Sequence, residues 1–219
     1  MTPKLIMETQ RHLWAHLMCF ECECRLNKFG ETPVLRLLDT GQWFSLLEQM
    51  LLVPTPVKVE PDVVTFSGEA MGINTDALAH FALGLLWKGA IHKWPTVASQ
   101  TTSINLAGYK DKIRKYLLGK TGMPPGIFVI IAACEDQGSR GMVYAPARFR
   151  GHRHRTFSFL MRGIWFDVIV DKNAGTEWKA LCCVQSDKKV LHLTNCHRRF
   201  MHAAGHIGKS ARVAPSLAR

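Results

Sequence analysis

The apolar pattern of this chain changes period once, at Pro124-Pro125, and that change limits the architectures open to it. Before the prolines, apolar residues recur at helical spacing. Residues 76–92 are apolar on most sides and predict a core helix, with Asn74 or Thr75 as its cap. Leu106, Tyr109, Ile113, Tyr116 and Leu117 form the stripe of a second helix over 106–118, and Lys110, Lys112, Arg114 and Lys115 cover its other faces. Residues 8–29 predict a helix running into a cysteine-rich turn. Thr32-Pro33 reads as a helix start, Thr capping and Pro at the first helical position. Trp43, Phe44, Leu46, Leu47, Met50 and Leu51 resume helical spacing until Pro54, Pro56 and Pro61 impose a loop, followed by an extended segment at 63–66.

After Pro125 the segments 127–134, 141–148, 156–161 and 164–170 read as strands, the last two joined at Arg162-Gly163. Residues 181–184 and 190–193 predict a closing hairpin. Helices first and strands afterwards predict an α+β fold: a helical region 1–126, an antiparallel β region 127–195, and a basic tail 196–219 that is partly disordered.

A chain of 219 residues with 47% hydrophobic residues can bury a core, which excludes wholesale disorder. Residues 1–20 lack a signal-peptide pattern, and the apolar stretch 77–87 is too short to span a bilayer. A cytoplasmic protein with no membrane partner is expected. Seven cysteines, clustered at Cys19/Cys22/Cys24 and Cys182/Cys183, suggest metal binding or free thiols rather than a disulfide framework. Cys134, Cys182 and Cys183 read as buried thiols.

Charge is unevenly spread. Residues 148–219 hold 14 Lys/Arg against 4 Asp/Glu, while residues 1–147 hold 14 against 13. A basic third on a neutral body points to a polyanionic partner, nucleic acid or a nucleoprotein. A solubilising surface with no specific partner is the bland alternative. Arg148, Arg150, Arg153 and Arg155, with His152 and His154, compose a loop suited to phosphate oxygens. Arg198, Arg199, Lys209 and Arg212 supply further contacts. His192, Cys196, His202 and His206 offer a weaker metal constellation.

Cys19 and Cys22 have the spacing of half a tetrahedral zinc site. His12 and His16, one turn apart upstream, are candidates for the other half. Cys24 or the tail are alternatives, and so is no metal at all.

Taken in order, Leu17 to Leu26 with its C-x-x-C-E-x-R core, Glu31, the apolar run Phe81 to Ala90 with Trp87, and Tyr109 to Leu118 resemble a group of bacterial HNH-endonuclease-like proteins of treble-clef type. The resemblance covers about residues 10–170. It implies zinc-type ligands at Cys19 and Cys22, with Glu23 and Arg25 as structural neighbours. That group usually carries another C-x-x-C and a catalytic His ahead of this point. No such pair precedes Cys19 here, so no catalytic residue carries over, and a truncated or repurposed relative is expected. The expected function is binding of nucleic acid or a nucleoprotein, in the setting of a mobile element or a phage–host conflict. The alternatives are an active metal-dependent nuclease drawing its His from residues 192–206, and an inhibitor that occludes a single protein partner.

Overall fold

The computed structural model describes residues 17–53, 55–95, 101–149 and 153–196. The chain enters through α1 (Phe20–Leu26), passes without a break into a π-helical turn (Asn27–Glu31), and continues as α2 (Thr32–Leu35) and α3 (Ser45–Leu52). A hairpin of β1 (Lys58–Glu60) and β2 (Val63–Ser67) precedes the long α4 (Thr75–Ile91). Beyond it come a two-residue pairing of β3 (Trp94–Pro95) with β4 (Thr101–Thr102), then α5 (Lys110–Leu117). The rest is β5 (Ile127–Cys134), a short α6 (Gln137–Arg140), β6 (Val143–Phe149), β7 (Thr156–Met161), β8 (Ile164–Val170), a 3₁₀ turn (Thr176–Leu181) and β9 (Val190–Thr194).

Seven strands form one sheet in the order β1-β2-β9-β5-β8-β7-β6. The fold is α+β as expected, but the sheet is mixed rather than antiparallel. β9 runs parallel to β5 over three pairs, Ala132–His192 to Cys134–Thr194, and antiparallel to β2. The expected hairpin between 181–184 and 190–193 is absent. Residues 176–181 form the 3₁₀ turn, and the Cys183 amide donates to the Val129 carbonyl, so this segment lies beside β5 instead of extending β9. The sheet also recruits β1 and β2 from the half that reads as helical.

Alternation along the strands separates two faces. Ile127, Val129, Ile131 and Ala133 of β5, Phe157 and Phe159 of β7, and Ile164, Phe166 and Val168 of β8 pack with Leu78, Phe81, Leu83 and Leu86 of α4 into the main core. Phe159 stacks on Phe166 with centroids 4.5 Å apart. Asn74 starts α4 by accepting from the Ala77 amide at 3.0 Å. Arg162 and Gly163 form the two-residue turn between β7 and β8 with φ of 38° and 88°. A Cβ at Gly163 would stand 2.8 Å from the Phe44 ring, so glycine meets both a torsional and a steric requirement there.

Thr32-Pro33 does not begin a helix. The Thr32 amide reaches back five residues to the Asn27 carbonyl, so the π turn carries the helix through Pro33. Gly30 in that turn lies against α4, where a Cβ would be 3.0 Å from the Phe81 amide nitrogen. His80 faces the same contact. Its Nε2 lies 3.3 Å from the Leu117 carbonyl, and burial, aided by the Arg25 charge, holds its pKa below the ordinary value. A histidine depressed on folding contributes stability that is complete above its unfolded pKa of about 6.5 and is lost as pH falls through the lower folded value. Urea midpoints measured across that acidic range are expected to fall in the wild-type protein and to flatten in His80→Gln.

The second face is mostly polar along its middle. Asp167 is half-buried and accepts from the Ser158 hydroxyl at 2.5 Å and from the Trp165 indole N–H at 2.8 Å. The sequence favours a solvent-facing Asp167; the alternation of β8 instead sets it between two buried donors, each 1% exposed. Asp167→Ala strands both donors and is expected to cost about 3 kcal/mol, whereas Asp167→Asn, which keeps an acceptor, costs less. Urea unfolding of the two variants measures the difference.

Candidate nucleic-acid interface

The strand order decides where the basic residues of the last third lie. β6 ends at Arg148 and Phe149 beside the start of β7, with Arg148 opposite Phe157. β7 begins opposite the end of β8, Thr156 facing Ile169, and β8 ends beside the start of β5. The Gln185 side chain donates to the Ile127 carbonyl at 2.7 Å, which brings the loop before β9 to the same place. One end of the sheet therefore gathers Arg148, Arg153, Arg155, Lys172, Lys179 and Lys188. All but Arg155 are exposed. Asp171, Glu177 and Asp187 share this end, and Lys189 is 3.7 Å from Asp76, so the surplus is positive but smaller than the raw composition suggests.

The end of the β6–β7 loop is fixed. His154 Nδ1 lies 3.2 Å from the Asp171 carboxylate, and the His154 ring meets Trp178 edge-on at 5.9 Å. Asp171 also accepts from the Asn173 amide at 2.9 Å. That amide first, and then His154, hold the Asp171 carboxyl below its ordinary pKa. The Val170 amide donates to the Arg155 carbonyl at 2.8 Å. These bonds seat Arg153 to Arg155 on the edge of the sheet.

β9 runs away from this end, Thr194 pairs with Cys134, and Cys196 follows. The seven steps from Ile127 to Cys134 along β5, about 23 Å at 3.3 Å per residue, separate the two ends. Cys196, the last described residue, therefore lies at the opposite end of the sheet. Arg150, Arg198, Arg199, Lys209 and Arg212 lie outside the described residues, as do His152, His202 and His206.

Cys196 is no metal candidate. It is bonded to Cys134 in a disulfide, with Cα atoms 5.2 Å apart, which corrects the expectation that Cys134 is a buried thiol. Cys182 and Cys183 are free and buried as expected, and desolvation pushes the Cys182 thiol up to about 12. His192 is likewise a structural residue: its Nδ1 lies 3.1 Å from the Thr65 hydroxyl and its Nε2 3.0 Å from the Leu181 carbonyl.

Cys19 and Cys22 sit at the start of α1, and residues 8–16 of the expected helix lie outside the described residues. Cys19 is exposed and precedes the first turn; its carbonyl accepts from the Glu23 amide at 3.1 Å. Cys22 is half-buried one turn on. The Cys22 amide and thiol both donate to the Cys19 sulfur, which lowers the Cys19 pKa and raises that of Cys22. Cys24, two positions beyond, points to another side of the helix. Among the described residues no group of three or more His, Cys, Asp or Glu is close enough to hold a metal ion. His12 and His16, the other candidate ligands, lie outside the described residues. Glu23 and Arg25 are structural neighbours: Lys88 bridges Glu23 at 3.3 Å and Glu31 at 2.7 Å, and Arg25 donates to the Leu117 carbonyl at 2.9 Å. These bonds tie α1 to α4 and α5.

No family model, no curated protein and no solved structure matches the chain. Among the described residues no helix is long and apolar enough to cross a membrane.

Proposed function

We propose that this protein binds nucleic acid, alone or within a nucleoprotein, through the basic end of its sheet. One observation carries the proposal: Arg148, Arg153 and Arg155 from the ends of β6 and β7, and Lys172, Lys179 and Lys188 from the connection between β8 and β9, come to the same end of the sheet. Guanidinium and ammonium groups on such an edge suit phosphate oxygens, which position a strand without reading its bases. The likeness of the α1, α4 and α5 segments to HNH-type proteins supports a nucleic-acid setting. The same likeness brings no catalytic histidine.

Binding of labelled duplex and single-stranded DNA and RNA, measured across a salt series, tests this. The logarithm of the affinity should fall linearly with the logarithm of salt concentration, by about 0.9 per duplex phosphate contacted. Incubation with plasmid and magnesium or manganese runs beside it, because cleavage would move the protein to the nuclease class. A protein that ignores every polyanion at low salt, and holds instead a single protein partner, belongs to the occlusion class.

A further inference from the structure

Cys22, the second cysteine of the pair at the start of α1, borders a cavity that the nucleic-acid reading does not use. Cys22 lines it together with Arg25, Trp87, Arg114 and Leu117, and its volume is about 210 Å³. Trp87 is 9% exposed, and its indole N–H has no hydrogen-bond partner among the described residues. Arg25 gives one N–H to Leu117, and Arg114 gives one to Asp111 at 3.2 Å. A guanidinium carries five. The cavity thus sets two guanidinium groups beside a thiol.

Cys19 is the N-cap of α1 and Cys22 the third residue of its first turn. Positions three apart on a helix bring their Cα atoms within the 4.4–6.8 Å that a disulfide spans. Cys19 is open to solvent and Cys22 is half-covered, the distribution of an attacking and a resolving thiol.

We propose that Cys19 and Cys22 form a dithiol–disulfide exchange couple, and that its co-substrate is a small disulfide bearing carboxylates, one arm of which enters the cavity. The volume is below the 300–1,000 Å³ of drug-sized sites and suits a single arm. Arg25 and Arg114 face its carboxylate, which they match in geometry and charge.

Cys19, as thiolate, attacks one substrate sulfur. The substrate S–S bond breaks, a Cys19–substrate bond forms, and the first substrate thiolate leaves and takes a proton from solvent. Cys22 then gives its proton to solvent and attacks the Cys19 sulfur. The mixed disulfide breaks, the Cys19–Cys22 bond forms, and the second substrate thiolate leaves and is protonated. Two electrons pass to the substrate. An external thiol of low molecular weight returns the couple by the reverse exchange.

The test uses the full chain and cystine as the probe, with the uncharged 2-hydroxyethyl disulfide for comparison. Metal content is measured first. After cystine treatment, alkylation and peptide mass mapping should find a Cys19–Cys22 cross-link with Cys24 still alkylated. Cys22→Ser should trap a mixed disulfide at Cys19, and Cys19→Ser should trap far less at Cys22. Arg114→Gln should slow the reaction with cystine roughly threefold to fivefold, the scale of an exposed ion pair, and leave 2-hydroxyethyl disulfide unaffected. Circular dichroism and an intact Cys134–Cys196 bond report that each variant is folded. Stoichiometric zinc held by Cys19 and Cys22 in the purified protein would overturn the proposal. So would the absence of the cross-link at every cystine concentration, or equal slowing of both disulfides in Arg114→Gln.

Discussion

Reduction of the Cys134–Cys196 bond is expected to lower the unfolding free energy by about 2–4 kcal/mol, and Cys134→Ala/Cys196→Ala should reproduce the loss without reductant. The two cysteines are 62 residues apart, and β6, β7, β8 and β9 lie between them. Closing a loop of that length in the unfolded chain removes about 4 kcal/mol of chain entropy on the usual model. The bond also sits at a short seam of the sheet. β9 meets β5 in only three parallel pairs, against seven antiparallel pairs between β5 and β8. The disulfide fastens the end of that short seam, and both cysteines are fully buried with Leu160 and Trp165. Urea titration of oxidised, reduced and double-Ala protein gives the magnitude. Hydrogen exchange gives the location: amides of β9 and β2 should lose protection before those of β7 and β8. An unchanged midpoint after full reduction would show that the bond contributes nothing.

The second large effect concerns the basic sheet end. Arg148, Arg153, Lys172 and Lys188 are exposed, and their joint replacement by Gln removes four charges from one edge without touching the core. If all four meet phosphates, the salt slope should fall by roughly 3–4 and affinity near physiological salt by roughly 100-fold or more. Replacing Arg198, Arg199, Lys209 and Arg212 removes the same charge from the tail and should have the smaller effect. Fluorescence anisotropy on one duplex compares the two variants directly. Retention of full affinity by the sheet-end variant, with loss in the tail variant, would contradict the assignment.

Local features of the sequence were legible where one segment contains its own determinants. Asn74 before a long apolar run announces α4, and Arg162-Gly163 between two β-rich runs announces the β7–β8 turn. Features set by distant partners were not. The residues 190–194 are β-rich in either pairing, and nothing local says that β9 joins β5 and β2 rather than the segment just before it. Cys134 looks like a buried thiol because cysteine spacing does not reveal which sulfurs meet. Thr32-Pro33 carries the composition of a helix start, but the wider π turn upstream spares the proline its usual clash. The basic third is visible as composition, yet which of its residues share one end of the sheet depends on the strand order. Asp167 takes one donor from Trp165 on its own strand, but the other, Ser158, comes from β7, a pairing that β8 alone does not show.

The position of β9 also dictates the order in which the molecule can be finished. β1 and β2 are synthesised early, but the strand that joins them to the remainder is the last of the nine to be made. Until residue 194 has left the ribosome, the β2 edge with Val64 and Phe66 and the β5 edge with Ile131 and Ala133 both stand unpaired. A nascent chain of this topology therefore carries one sticky border from residue 67 and a second from residue 134 until β9 is made, and a stop before residue 190 leaves two sheet fragments with no strand to join them.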